Sequence, residues 1–486
     1  MKATSTPLPK RLHVIGICGV ATSALAIAFH EKGVIVTGSD KGFFPPVSNE
    51  LIRKDVPYYA GWHPEKMIEK GIPEIIVIGT ASGSHNPETE YAKENNIPTL
   101  SFAEAIGRYF VKENSIVCAG TWGKTSSSAL LSFIFEEADR NPTYMFGGIS
   151  LSHESSARLT HSPWSIFEGD EYKSGPNDRN PKFAYYKPSH VLLTAVSWDH
   201  ADLYPTEKDY FQAFEKLLSS IPKKGFVVAC LDEDGVEKII KNYSDKIVSY
   251  GRKWPSPTLD YEYGPVSQNS AGINFTIEIK ALSQSPAKSA TQKSSFTIHS
   301  PMLGLFQAEN IAGCFALAHS LGIEPEKIVE AIAKFKGLKR RLEKRLDGKV
   351  TIIDDIAHSP EKASVVLSTL QSIYPGRVIA VFEPNTGGRE RESLSKYDDA
   401  FRDADLVIIP HLTRLKVAED GEEQPIEGNE LAQVIAKTHK NVQYIDDDSK
   451  LVDFLMKNKK EDDVIAFLGS HGFRGMIEET VKKLGT

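Results

Sequence analysis

Apolar and polar positions change period several times along this chain. "LHVIGI" (12–17) is a short apolar run with β-branched residues, and "GVATSALAIAFHEKG" (19–33) has helical spacing and ends on glycine. "VIVTGSD" (34–40) and "EIIVIGT" (74–80) read as further strands. Short strands alternating with helical segments predict a parallel sheet with crossover helices. The pattern restarts at "SIVCAG" (115–120), followed by the helix "KTSSSALLSFIFEEA" (124–138) and the strands "WSIFEG" (164–169), "HVLLTAV" (190–196) and "GFVVAC" (225–230). Its character then shifts, because "INFTIEI" (273–279) and "SSFTIHS" (294–300) read as antiparallel strands. The Ser-, Ala- and Lys-rich "KALSQSPAKSATQK" between them reads as an exposed, mobile loop. "NIAGCFALAHSLGI" (310–323) is a helix with a C-cap-like Gly322.

A third unit opens after the basic stretch 335–349. "VTIIDD" (350–355), "RVIAVFE" (377–383), "DLVIIP" (405–410) and "VIAFLG" (464–469) are its strands. The helix 359–373 starts with Ser359 as N-cap and Pro360 at its first position. The expected fold is α/β with three domains in series. These are an N-terminal Rossmann-like domain (1–112), a central P-loop ATPase-like domain with a mixed sheet (113–343) and a C-terminal Rossmann-like domain (344–486). The 486 residues suit about three domains at ~100–200 residues each.

Composition narrows the function classes. A net charge of −7 gives no reason to expect nucleic-acid binding. The cysteines Cys18, Cys118, Cys230 and Cys314 are scattered without a zinc spacing, which suits reduced thiols in a reducing compartment. The apolar run before Phe29 is broken by His13, Gly16 and Gly19, so strand–turn–helix explains it better than an export signal. No run reaches the ~18 apolar residues of a membrane helix, and a cytoplasmic protein is expected.

Chemistry concentrates after strands. Gly16-Ile17-Cys18-Gly19 forms a glycine-rich turn into a helix, whose N-terminal amides suit a pyrophosphate. A plain turn would use the same glycines, and the full G-x-G-x-x-G is absent. Asp40 ends the second strand about 20 residues on, where a ribose-binding acid falls. Gly120-Thr121-Trp122-Gly123-Lys124-Thr125 is a phosphate loop in strand–loop–helix context, though Cys118 stands at its first glycine position. Glycines let the backbone wrap phosphate oxygens, the lysine reaches terminal phosphates, and the threonine hydroxyl suits Mg²⁺.

Glu168, Asp170 and Glu171 in "FEGDEYKSGPNDRN" (167–180), and Asp199, His200 and Asp202 in "SWDHADLY" (197–204), end neighbouring strands. There they suit a Mg²⁺–ATP site, against the plainer reading of solvated loop charges. The run "LKRRLEKR" (338–345) is either a solvated junction or the source of an arginine for phosphates. Asp355, His358, Arg389 and Arg391 lie at strand ends of the third unit and suit an anionic or amine substrate.

The ordered set "GICG", "TGSD", "AGTWGKTS", "FEGDEY", "DHAD", "GLKRRLE", "DDIAHSPEK" and "FEPNTGGR" resembles the Mur ligase family over essentially the whole chain. The resemblance implies an ATP- and Mg²⁺-dependent ligase that forms an amide bond on a carboxylate through an acyl phosphate. It leans toward the branch acting on UDP-N-acetylmuramate, which holds the L-alanine-adding ligase and the murein peptide ligase. The layout of "DEYKSGPNDRNPKFAYYKPSHVLL" and the tail "GSHGFRGM" favour the latter, whose amine is L-alanyl-γ-D-glutamyl-meso-diaminopimelate.

By motif position, ATP would meet Gly120, Thr121, Gly123, Lys124, Thr125, Ser126, Gln307, Asn310 and Arg341. Thr125, Glu168 and His200 would bind Mg²⁺, with Lys124, Glu168 and His200 carrying catalysis. Gly16, Gly19, Ser39 and Asp40 would hold the UDP-sugar, and Asp355, His358 and Arg389 the second substrate. Departures from the family are Trp122 for His, Ala195 for Asn, Phe306-Gln307 for His-Asn, and Asn385 for a basic residue. A non-catalytic nucleotide-binding relative is the alternative class.

Overall fold

The computed structural model describes residues 6–43, 47–80, 85–175, 178–241, 243, 246–252, 259–280, 294–385, 387–413 and 425–485. The expected loop between the strands near 279 and 294 falls at 281–293, outside the described residues. The chain divides into two compact units: Met1–Val266 with Asn274–Ser300 and Phe306–Lys336, and Ser267–Ile273 with Pro301–Leu305 and Gly337–Thr486.

The first unit carries two sheets. The N-terminal sheet is wholly parallel, in the order Tyr58–Ala60, Ile35–Asp40, Arg11–Ile15, Ile75–Ile78, Thr99–Ser101. The strand order reverses at Arg11–Ile15, so a crevice opens where that strand ends, at Gly16. The second sheet has ten strands. Its parallel centre runs Phe226–Cys230, His190–Leu193, Asn114–Ala119, Trp164–Gly169, Thr143–Met145. The central strand Asn114–Ala119 is buried on both faces and leads directly into the Lys124–Glu137 helix. Gly272–Ile279 and Ser294–Ser300 extend one edge.

One continuous apolar core joins the two sheets of this unit, from Leu12, Leu25 and Phe29 through Phe102 and Phe110 to Phe167, Leu193 and Phe214. Phe29 packs edge-on against both Tyr109 and Phe110, with ring centroids 5.4 and 5.6 Å apart. The glycine loop of the first sheet and the carboxylates of the second therefore belong to one compact unit with a shared core.

The second unit holds a six-stranded sheet, Glu343–Leu346, Thr351–Asp355, Val464–Gly469, Val378–Glu383, Leu406–Pro410, Val442–Ile445. Only the first strand pairs antiparallel. The sequence expectations for the long apolar strands hold to within one to three residues at their ends, because those runs are buried on both faces. Several strands went unread, among them the short Tyr58–Ala60, Thr99–Ser101, Thr143–Met145 and Val442–Ile445, and Tyr261–Asn269, which alternates polar and apolar at the sheet's outer part. No helix among the described residues is long and apolar enough to cross a membrane.

Two buried histidines give this fold an acid limit. His153 sits among Phe133, Tyr144, Phe146 and Phe335, and His190 packs on Trp164 and Phe226. Burial pushes each down from 6.5 to about 4. The unfolded chain therefore binds more protons than the folded one between those values, and stability falls as pH drops through that window. Urea unfolding at a series of pH values is expected to show this loss, and a flat profile there would contradict it.

Candidate active site

Gly120 and Gly123 shape the phosphate loop. Their φ values are 146° and 82°, conformations that L side chains rarely adopt. A Cβ at Gly120 would collide with Thr194 and the Ala195 backbone, and one at Gly123 with Asn310 Oδ1. The loop is thus pinned between the end of the His190–Leu193 strand and the start of the Gln307–Ser320 helix. The Ala195 carbonyl accepts the Thr121 N–H at 2.8 Å, and the Trp122 carbonyl accepts the Thr194 hydroxyl at 2.5 Å. Trp122 itself projects into solvent, 47% exposed. The Thr121 hydroxyl donates to the Ser197 carbonyl at 2.9 Å and accepts the Ser197 N–H at 2.8 Å, tying in the loop that carries His200.

Lys124 opens the following helix and turns to Glu171, with Nζ 2.8 and 2.9 Å from its two oxygens. Glu171 is 1% exposed. His200 Nε2 lies 3.5 Å from the same carboxylate, and that contact raises the His200 pKa above 6.5. His200 holds a φ of 57°, a left-handed backbone that aims its ring at Tyr172, with centroids 5.0 Å apart. Thr125 Oγ1 donates to Glu168 at 2.7 Å, and the other Glu168 oxygen accepts the Gly147 N–H at 2.5 Å. Burial raises the Glu168 pKa despite those two hydrogen bonds. The Thr125 hydroxyl and the half-buried Glu168 carboxylate are oxygen donors of the kind Mg²⁺ takes, with the His200 imidazole and the phosphate-loop lysine beside them.

Glu171 was the residue least distinguishable in the sequence. It is one of three acids within four positions, and only the fold selects it as partner of both Lys124 and His200. Asp170 instead pairs with Lys182, which holds its carboxyl below the usual range although burial alone would raise it.

Of these groups, Glu168, Asp170 and Lys182 line a cleft of about 360 Å³ together with Gly16, Gly19, Asp40 and Lys41. Gly16 takes a φ of 81°, and its N–H and that of Ile17 donate to the Ser39 carbonyl at 2.8 and 3.1 Å. Asp40 accepts the Cys18 N–H at 2.9 Å and so closes the glycine turn. Ser39 is fully buried, and its hydroxyl donates to Glu88 at 2.5 Å, so it supports the cradle from behind. Gln307 and Asn310 are hydrogen-bonded to each other at 3.1 Å and buried, while Phe306 is 50% exposed.

In the second unit, Asp355 is buried and accepts the N–H groups of Leu342 and Ala357 at 2.7 and 2.8 Å. Burial raises its pKa. His358 Nδ1 donates to the Ile356 carbonyl at 2.7 Å, leaving Nε2 for a ligand. Arg341 is exposed. Arg389 is only 3% exposed, and its guanidinium donates to the carbonyls of Ile426 and Thr413 and to Glu427. It braces the loops after two strands from within. Arg391 is exposed.

Comparison with known proteins gives three consecutive matches. Residues 11–112 match the description "Mur ligase family, catalytic domain", 118–318 "Mur ligase middle domain" and 340–471 "Mur ligase, glutamate ligase domain". The chain is 29% identical to a UDP-N-acetylmuramate–L-alanine ligase of Caldanaerobacter subterraneus over 95% of each chain. It is 28% identical to the one of Methylocella silvestris over 94% of each. The crystal structure of the UDP-N-acetylmuramate-alanine ligase MurC of Thermotoga maritima shares its fold at a TM-score of 0.77 and 20% identity, covering 98% of this chain and 99% of that one. A murein peptide ligase of Psychrobacter arcticus superposes at 0.69 and 22% identity over the same shares.

Proposed function

The chain belongs to the Mur ligase family of ATP-dependent amide ligases, and from that premise we propose that it joins a peptide to the lactyl carboxylate of UDP-N-acetylmuramate. The observation that carries this reading is the convergence of Lys124, Thr125, Glu168, Glu171 and His200 on one sheet edge. Gly16, Gly19, Asp40 and Lys41 face Glu168 across the adjoining cleft. A pure nucleotide binder needs no such cluster of metal-type donors beside a phosphate-loop lysine.

In this reading the domain 1–112 holds the UDP-sugar, 113–343 binds ATP, and 344–486 binds the incoming amine. The cleft directs the lactyl carboxylate toward the phosphate loop. A carboxylate oxygen takes the γ-phosphoryl group, giving an acyl phosphate and ADP. The amine nitrogen then attacks the carbonyl carbon, loses a proton, and inorganic phosphate leaves. Positioning and charge neutralisation do most of this work. Lys124 would exchange Glu171 for the β/γ-phosphates. Thr125, Glu168 and His200 would hold Mg²⁺, which neutralises phosphate charge when bound. Arg341, Asp355 and the free His358 nitrogen would meet the nucleotide and amine. The protein would work in the cytoplasm, where ATP and UDP-sugars are found.

For the amine we favour L-alanyl-γ-D-glutamyl-meso-diaminopimelate. The segment 170–193 supports it: its layout resembles that of the murein peptide ligase, and among its described residues the Asp170–Lys182, Asp178–Tyr185 and Ser101–Ser174 contacts hold side chains in place. L-alanine is the second reading, favoured by the name of the relatives above. Phosphate release with ATP, Mg²⁺ and UDP-N-acetylmuramate separates them. Release with tripeptide but not L-alanine is expected. Release with L-alanine alone reverses the amine, and release with neither, despite ATP binding, removes the ligase reading.

A further inference from the structure

The ring of Tyr172 lies against the His200 imidazole, and the ligase reading gives it no task. Their centroids are 5.0 Å apart, with the rings inclined at 53°. The acids beside the imidazole hold it only loosely. Nε2 is 3.5 Å from Glu171 Oε1 and 4.0 Å from Asp199 Oδ2, at or beyond the reach of a directional hydrogen bond. His200 also keeps a φ of 57°, a left-handed conformation that persists in a side chain of this size only where the surroundings over-determine it.

Tyr172 is a stiff platform for that ring. Its N–H donates to Asp170 Oδ1 at 3.0 Å and its carbonyl accepts the Lys182 N–H at 3.1 Å, so its backbone is held on both sides. Lys173 Nζ and Lys182 Nζ each stand 5.9 Å from the centre of its ring, within cation–π range. Its hydroxyl donates to Asp202 Oδ2 at 2.8 Å. Asp202 follows His200 on the same loop, so one side chain meets that loop at two points. Glu171 and Tyr172 are consecutive, and both meet the imidazole, the first by charge and the second by ring packing. The start of the loop is tied to the phosphate loop through Ser197 and Thr121.

We propose, resting on the ligase reading of the site, that Tyr172 is the positioning residue of His200: its ring sets the orientation of the imidazole, and its hydroxyl ties the loop at Asp202. It acts on phosphoryl transfer only through His200. Misplacing a group by about 1 Å at such a site can cost about 10²-fold in rate. The ring carries most of this effect, because the Tyr172–Asp202 hydrogen bond lies in solvent, where water readily replaces it. The sequence marks Asp170 and Glu171 as candidate acids and passes over Tyr172, since a single aromatic after an acidic run has no signal of its own.

Tyr172→Leu and Tyr172→Phe in the full-length chain test this. Tyr172 is half-buried, so both variants are expected to fold, which far-UV circular dichroism checks. The first readout is carbethoxylation of His200 by diethyl pyrocarbonate in the metal- and nucleotide-free protein, followed by peptide mass spectrometry at a pH where the ring is neutral. Tyr172→Leu is expected to speed labelling of His200 at least about threefold, while Tyr172→Phe stays within about twofold of wild type. The second readout is turnover. Tyr172→Leu should lower kcat about 10–100-fold with the KM values for ATP and UDP-N-acetylmuramate within about twofold, and Tyr172→Phe should recover most of that loss. The labelling needs neither nucleotide nor turnover, so it judges the clamp even where the wild type releases no phosphate with any amine and the ligase reading itself fails. The proposal is overturned if His200 of folded Tyr172→Leu labels at the wild-type rate, if Tyr172→Phe loses as much kcat as Tyr172→Leu, or if Tyr172→Leu raises KM and leaves kcat unchanged.

Discussion

Replacing Lys124 by alanine is expected to lower the rate of ATP-dependent phosphate release by at least about 10²–10³-fold while UDP-sugar affinity stays within about twofold. The two halves of this result rest on different contacts. Lys124 supplies the positive charge at the head of the phosphate loop, where charge is neutralised as the phosphoryl group moves. The cleft residues Gly16, Gly19 and Asp40 belong to the other sheet of the same unit and make no hydrogen bond to it. A complication is that Lys124 also compensates Glu171, a nearly fully buried carboxylate. Its removal leaves that carboxylate with the His200 imidazole and the Tyr210 hydroxyl, each at 3.5 Å, so some stability is lost as well. The double variant Lys124→Ala, Glu171→Gln separates the two effects. It should regain stability in urea unfolding but not turnover. Recovery of turnover in the double variant would mean that Lys124 acts only as a structural counter-ion.

Glu88→Ala is expected to be the most damaging single change to the N-terminal sheet, lowering unfolding stability by about 3–5 kcal/mol. Glu88 is fully buried. It accepts the Ser39 hydroxyl at 2.5 Å, the Tyr59 hydroxyl at 2.6 Å and the His63 N–H at 2.8 Å, and lies 3.4 Å from His13 Nε2. Burial alone would raise its pKa, but those partners together hold it below the usual 4.5. A depressed carboxylate contributes stability that is present above its unfolded value and fades as pH falls through the folded one. Truncation strands three donors in a largely buried site. It also loosens Ser39, whose carbonyl anchors the Gly16 and Ile17 amides, so UDP-sugar affinity should fall with stability. Glu88→Gln keeps the shape and most acceptors and should cost less. Urea unfolding and UDP-sugar titration of the two variants check this, and a loss below about 0.5 kcal/mol for alanine would show that the network is dispensable.

The comparison of the two predictions also shows how far sequence reading reached. Lys124 stood out because its loop carries glycines at positions where only glycine fits, and the strand before it and the helix after it have unmistakable periods. Glu88 had no such signal. It lies in an ordinary polar helix, Pro87–Glu94, with other acids at Glu90 and Glu94, and only folding turns it inward. Arg389 and Ser39 illustrate the converse. Both sit beside motif residues and carry suitable chemistry, yet the first braces neighbouring loops through three hydrogen bonds and the second donates to a buried acid.

What the sequence determined by itself is the long apolar strands of the parallel sheets, the two glycine turns, and the family with its phosphate loop. These depend on local period and on backbone conformations that few residues tolerate, so they are written in short windows. The tertiary structure decided which acid meets which donor: Glu171 rather than Glu168 or Asp170 for Lys124, and Glu88 for Ser39 and Tyr59. Those pairings join residues as far apart as 47 and 49 positions. They are set by which face of an element turns inward once its apolar positions are buried, a choice that no single window of the chain contains.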